Sequence, residues 1–386
     1  MILSLSPQVV YSDASNQELE QRLERLEKHV GTEEEGSEAG EKSVLDRLTI
    51  GGVMAGAYQY QNVSNAPDTS DTGRGGFVFQ PELGIALSEY DEIVTKFQFA
   101  AGNGLNAVSP FIYTPWGTDL EDDVKDINGR NRDYLLTASY KHTFAFSDGH
   151  TLGMTGGLID STDYLDENAF ANDELTQFMN EVFVNAPVAF LPSYDIGGAL
   201  EWEYGNFAFK GVVMNVGEND YGRSYNYFGG TVGYTLDTGL GEGNYRVTGG
   251  YTTKDFDDPD GESKKYLGSA VLSFDQQLGE ILGAWVRFGW QDDDAAVAAK
   301  YLYSGGIDIS GNLWGREGDN AGVAYAYLND GNADDIDNSQ VFEAYVRFSL
   351  LEFLAVTADV QYMKDDYKAG DNPKGFIYGV RGVVEF

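Results

Sequence analysis

Charged and amide side chains recur in this chain at every second position of segments whose remaining positions are apolar: Glu82, Lys96, Gln98, Glu201, Glu203, Lys210, Arg246, Arg287, Gln291, Glu343, Arg347, Asp359 and Arg381. Guanidinium and ammonium groups donate hydrogen bonds and carboxylates accept them, so a mixed-sign set on one face can hold a polar solute without making a covalent bond. Arg287, Arg347, Arg381, Glu343 and Asp359, with Glu82, Lys96, Lys210, Arg246 and Glu201, are therefore the candidate solute-binding residues. The same groups can instead pair with one another and brace a wet wall, and the residue types alone leave both roles open. Covalent chemistry has little to work with. The chain has no Cys, which removes thiol nucleophiles and thiolate metal sites, and only 3 His. His29 falls in a heptad segment, while His142 and His150 flank an expected tight turn, a poor place for a catalytic base. No Gly-x-Ser-x-Gly elbow, phosphate loop or metal-ligand cluster occurs. The expectation is a protein that is not an enzyme and carries no cofactor and no metal.

A face of this kind has to be made by extended strands, because successive side chains of a strand point to opposite sides. In 339–350, Phe342, Ala344, Val346, Phe348 and Leu350 share one side while Glu343, Tyr345 and Arg347 share the other. In the next segment Leu354, Val356, Ala358, Val360 and Tyr362 oppose Thr357, Asp359 and Gln361, and in the last Phe376, Tyr378, Val380, Val384 and Phe386 oppose Arg381 and Glu385. Repetition of this pattern predicts strands near 48–61, 75–88, 93–104, 132–144, 151–160, 195–204, 207–217, 224–236, 243–253, 264–276, 281–292, 300–311, 316–328, 339–350, 353–363 and 374–386. About sixteen strands joined alternately by short turns and long loops describe an antiparallel transmembrane β-barrel. Placing Lys or Arg against lipid at mid-depth costs about 2–4 kcal/mol, so the charged face is expected to point into the lumen.

The composition agrees. With 62 acidic against 25 basic residues in 386, the net charge of −37 argues against nucleic-acid binding, which needs clustered bases. No apolar run approaches the roughly 18 residues that a spanning helix requires. Acidic residues gather in 254–263 and 329–338, read as solvated loop tips able to attract cations and, with lipopolysaccharide, to share bridging divalent ions. Residues 1–14 read as a leader or signal remnant. Leu19, Leu23, Leu26 and Val30 then follow heptad spacing among charged residues, predicting a short α-helical coiled coil over 15–30, too short to stand alone and best stabilised by copies of itself, with a homotrimer expected. Residues 31–42 lack large apolar side chains, and 31–47 read as an acidic linker to a barrel spanning 48–386.

One long connection, 161–194, follows Gly156-Gly157-Leu158-Ile159-Asp160 and contains Asp163-Tyr164-Leu165-Asp166-Glu167-Asn168-Ala169-Phe170 and Thr176-Gln177-Phe178-Met179-Asn180. With Leu313-Trp314-Gly315-Arg316-Glu317-Gly318-Asp319, the run Phe342 to Arg347, and the ending through Gly379-Val380-Arg381 to Phe386, this resembles the carbohydrate-selective porins, the OprB family. The resemblance implies an outer-membrane barrel that passes small polar solutes, chiefly sugars, with 161–194 folded inward, and a terminal Phe386 that serves barrel assembly among outer-membrane lipids. The N-terminal helix is an addition to the sugar porins. Related barrels proposed for iron or siderophore uptake carry periplasmic helices, so an iron, siderophore or cation porin and an envelope-organising barrel tethered by its periplasmic coiled coil remain the alternatives.

Overall fold

The computed structural model describes residues 47–67, 69–333 and 335–386. The expected leader and the helix stripe Leu19, Leu23, Leu26 and Val30 lie outside the described residues, as does nearly all of the acidic linker.

The alternating segments form strands β1 (Leu48–Ser64), β2 (Thr72–Ala86), β3 (Asp91–Phe97 continued by Phe99–Ala101), β4 (Leu135–Ser147), β5 (His150–Ile159), β6 (Asp195–Tyr204), β7 (Phe207–Val216) and β8 (Tyr225–Asp237). They continue as β9 (Glu242–Thr252), β10 (Gly268–Leu278), β11 (Leu282–Gln291), β12 (Tyr301–Ser310), β13 (Asn320–Asn329), β14 (Ile336–Leu351), β15 (Leu354–Tyr367) and β16 (Lys374–Glu385). The sheet contains 17 hydrogen-bonded segments, of which the two pieces of β3 are one strand interrupted at Gln98, so sixteen strands result. Each pairs antiparallel with its neighbour in sequence, and β1 pairs with β16 to close the barrel, from Val53 opposite Glu385 to Ser64 opposite Lys374. Closure removes the unpaired edge that an open sheet would present to lipid. The seam is extended by reciprocal backbone bonds between Gly52 and Phe386 of 3.0 and 3.1 Å. Only glycine suits position 52, where φ is +156° and a Cβ would lie 2.3 Å from the Gln80 carbonyl oxygen.

Side-chain parity follows the sequence pattern. Phe342, Phe348, Phe376, Tyr378 and Val380 are exposed on the outer wall, whereas Glu343, Tyr345, Gln361 and Arg381 are buried on the inner one. At the end of the barrel with the short turns, Phe144, Phe146, Trp202, Tyr204, Phe207 and Phe209 form an exposed aromatic belt, with Trp202 stacked on Phe209 at 5.2 Å between centroids. Such girdles sit at the level of lipid headgroups.

Two strand starts differ most from expectation. The strand expected over 316–328 starts at Asn320, because Gly311–Trp314 is a 3-10 turn held by Asp319, which accepts from Trp314 Nε1 at 3.1 Å and pairs with Arg316 at 2.5 Å. The strand expected from 264 starts at Gly268, since Lys264–Lys265 pairs instead with Phe256–Asp257 in a small hairpin within the loop.

Candidate functional site

The barrel interior is built from inward-facing residues and from two long loops, 102–134 and 160–194, that pack against them. Loop 160–194 contributes Leu165, Ala171, Phe178, Met179, Val182, Phe183, Val188 and Ala189 to the buried core, and loop 102–134 contributes Leu105, Phe111, Trp116, Leu120 and Val124. Most of them meet Trp285, Ala324, Tyr345, Met363 and Ile377 on the wall from β11 to β16, whereas Leu165 packs with Ile159, Ala199, Val212 and Met214 on β5 to β7, and Trp116, Leu120 and Met179 pack with Ala55, Ala57 and Val78 on β1 and β2. Several inner-wall glycines serve as sockets: a Cβ on Gly283 would stand 2.3 Å from the Phe170 ring, one on Gly289 2.3 Å from Val188, and one on Gly322 2.9 Å from Phe178. The loops also bind each other. Glu181 accepts from Thr114 N and Oγ1, both at 2.9 Å, Trp116 Nε1 donates to the Glu174 carbonyl at 3.0 Å, and Gly117 N donates to the Met179 carbonyl at 2.7 Å.

Beneath this double loop lie the polar residues of the far wall. Arg287 on β11 is fully buried and donates from Nε to Asp166 Oδ1 at 3.2 Å, from Nη1 to the Phe183 carbonyl at 2.9 Å and from Nη2 to the Ala171 carbonyl at 2.6 Å. Arg381 on β16 donates to the carbonyls of Glu174 and Gln177 at 2.7 and 2.8 Å. The Glu343 carboxylate on β14 accepts from the backbone of Met179 at 2.5 Å and Asn180 at 2.9 Å. Asp359 on β15 accepts from Gln361 at 3.1 Å, and Gln361 also donates to the Pro115 carbonyl at 2.8 Å. All of these face inward. Their bonds run to loop backbone and to one another, and Arg287, Arg381 and Glu343 have no exposed surface.

The opposite wall, from β2 to β10, carries the other members of the expected set, some of them in a wetter setting. Lys141 on β4 pairs with Glu201 on β6 at 2.8 Å, their side chains 24% and 21% exposed, whereas Arg287 and Asp166 are both at 0%. Lys210 on β7 pairs with Glu167 of the loop at 2.5 Å. Arg246 on β9 reaches Asp275 on β10 at 2.6 Å and Glu167 at 3.7 Å. Glu82 and Lys96 are register partners on β2 and β3. Arg347 stands apart, near the short-turn end, with Glu385 at 3.3 Å. Phe386 stacks its exposed ring on Phe79 at 6.1 Å on the outer wall. Sequence reasoning missed Lys141, which parity along β4 would have found, and Asp166 and Glu167, whose partners come from distant strands.

Burial acts on the loop carboxyls. It raises Asp119 to about 6, opposed by the Tyr194 hydroxyl bond, and raises Asp160 to about 7, helped by Asp163. Glu174 reaches about 8 through burial and the neighbouring Asp173. Burial also raises Asp166, against the pull of Arg287.

The sequence profile of the carbohydrate-selective porin, OprB family, matches residues 120–386. An uncharacterized protein of Aquifex aeolicus (strain VF5) is 31% identical over 301 residues, covering 75% of this chain and 82% of its own length. OprB of Pseudomonas putida, in its high pH structure, superimposes with a TM-score of 0.70 at 15% identity, covering 89% of this chain and 95% of that one. OccK11 (OpdR) of Pseudomonas aeruginosa matches at a TM-score of 0.52 and 7% identity over 91% and 99% of the two chains. The barrel, its inward-packed loops and the profile match over 120–386 lead to one conclusion: the chain belongs to the carbohydrate-selective porins of the OprB family, outer-membrane channels without enzymatic activity.

Proposed function

We propose that this porin passes small neutral carbohydrates by diffusion along a corridor past the charged side chains of β2 to β7, with loop 160–194 as its narrowing element. The observation that carries this reading is the row of opposite-charge pairs that keep contact with water, Lys141 with Glu201 and Lys210 with Glu167. Each pair sets donors beside acceptors, the complement of a sugar hydroxyl that accepts and donates at once. Such bonds replace bonds to water, so even to a charged group each contributes only about 1.5–3 kcal/mol net, which gives weak retention and quick release. Proteoliposomes holding the protein are expected to swell in glucose and maltose, and both sugars are expected to block the single-channel ion current. Passage of ferric siderophores with sugars excluded would replace this reading with an iron-uptake porin.

In this reading the short-turn end faces the periplasm, and Phe386 serves assembly. Its backbone completes the seam with Gly52 and its ring covers Phe79 on the lipid side. Deletion of Phe386 is expected to lower the yield of folded barrel in outer-membrane fractions, measured by heat-modifiable mobility on gels. An undiminished yield would assign assembly to other residues.

A further inference from the structure

The inward-facing bases described above are each satisfied, by a carboxylate or by loop carbonyls, with one exception. Lys96 makes no hydrogen bond and no ion pair with any described residue. The charges that act on its ammonium are the carboxyls of Asp163, Glu82, Asp160 and Glu174, one on the neighbouring strand and three on loop 160–194. The backbone around it is irregular. The pairing of β3 with β4 shifts register between Lys96 and Phe97, so Lys96 faces Thr137 while Phe97 faces Leu135, and β3 then breaks at Gln98, whose amide N–H donates to the Tyr134 carbonyl at 2.8 Å. A bulge of this kind re-aims the side chain beside it. On the loop side, Asp160 is fixed by accepting from Thr162 N at 2.9 Å, which sets the entry of the loop facing β3.

We propose that Lys96 determines solute specificity in the corridor: its free ammonium and the facing carboxyls of Glu82, Asp160, Asp163 and Glu174 form a subsite for neutral polyhydroxylated solutes. The inference rests on the carbohydrate reading and assigns the contact within it. An ammonium offers three donors and no acceptor, and a carboxylate offers acceptors alone. An anionic solute meets the surplus of carboxyls, and a small cation meets the ammonium at the same place. A vicinal diol satisfies both, accepting from Lys96 with one oxygen while its hydroxyl hydrogens go to the carboxyls. The other pairs of the corridor already spend a donor and an acceptor on each other, whereas Lys96 keeps all its donors for a solute.

The test is sugar block of single-channel current by the full-length protein in planar bilayers, with glucose and maltose as probes. Hydrogen bonds to a charged group are the stronger class, so Lys96→Met is expected to weaken block by about tenfold or more. Lys96→Arg, which keeps the charge and the donors, is expected to retain block close to wild type and shows that the position tolerates change. Block of unchanged strength in Lys96→Met overturns the proposal, as does a Lys96→Met variant in which only the reversal potential shifts. A wild-type channel that neither sugar blocks nor crosses defeats the carbohydrate reading itself. A wild type that both sugars cross and block, beside an indifferent Lys96→Met, defeats only the assignment to Lys96.

Discussion

Replacement of Arg287 by Met is expected to release loop 160–194 and raise single-channel conductance, with a gain in current noise. Arg287 joins β11 to three parts of the loop at once, through Asp166, Ala171 and Phe183, and neither it nor Asp166 touches solvent. Removing one member of a buried ion pair strands the other charge, at a cost of about 3–5 kcal/mol. Methionine fills much of the arginine volume, so the loss is of bonds more than of packing. The loop gives way before the barrel does, because the strands are held by a closed ladder of backbone bonds and the loop by this side chain, by Arg381 and by Glu343. Adding Asp166→Asn removes the stranded carboxylate and is expected to recover part of the loss, a coupling that two independent sites would not show. Conductance and protease accessibility of the loop in proteoliposomes measure the effect. Wild-type values for both in Arg287→Met would mean that Arg381 and Glu343 suffice to hold the loop.

The barrel was legible because its physics is periodic. A wall with lipid on one side and polar groups on the other imposes a two-residue alternation that survives in β14, β15 and β16 residue by residue, and the long-short rhythm of connections marks the two ends. What the alternation cannot carry is irregular backbone. The Gly311–Trp314 turn depends on Asp319 reaching back to Trp314 and Arg316, and the hairpin at Lys264–Lys265 depends on Phe256, which is buried against loop residue Phe190 at 5.0 Å between ring centroids. Neither has a period.

The interior was legible by face and not by partner. Parity sent Arg287, Glu343, Asp359 and Arg381 inward, yet nothing in strand spacing says that the first, second and fourth meet backbone of a loop more than a hundred residues away. The same holds for glycines of the inner wall: Gly283, Gly289 and Gly322 each leave room for a loop side chain, Phe170, Val188 or Phe178, and strand periodicity does not mark them. Loop 102–134 gave no signal as part of the interior. Its buried Trp116 and Leu120 are scattered among Asp, Asn and Gly, the composition of a solvated connection. The apolar residues of both loops are dispersed because each contacts a different strand, and dispersion is what a solvent-exposed loop also shows.

Charge selectivity is expected to depend on pH between about 5 and 9, the range in which the buried loop carboxyls titrate. Burial holds Asp160 at about 7 and Glu174 at about 8, with Asp163 and Asp173 adding repulsion and Lys96 opposing it at both. At about pH 6 both are largely protonated and the loop face of the corridor is less negative; by about pH 9 both are ionised, so cation preference should rise with pH. The same shifts bear on loop docking. In a displaced, hydrated loop these carboxyls would ionise near their ordinary values, 3.8 for Asp and 4.5 for Glu. The docked loop therefore holds protons that the displaced loop has lost, and stability of docking falls as pH rises from those values through the docked ones. Reversal potentials in a KCl gradient should move toward the cation limit over this window, with current noise growing at its alkaline end. Asp160→Asn with Glu174→Gln fixes both groups in the neutral form and should flatten both trends. A wild-type reversal potential that stays constant from about pH 5 to pH 9 would mean that both carboxyls keep ordinary values in the docked loop.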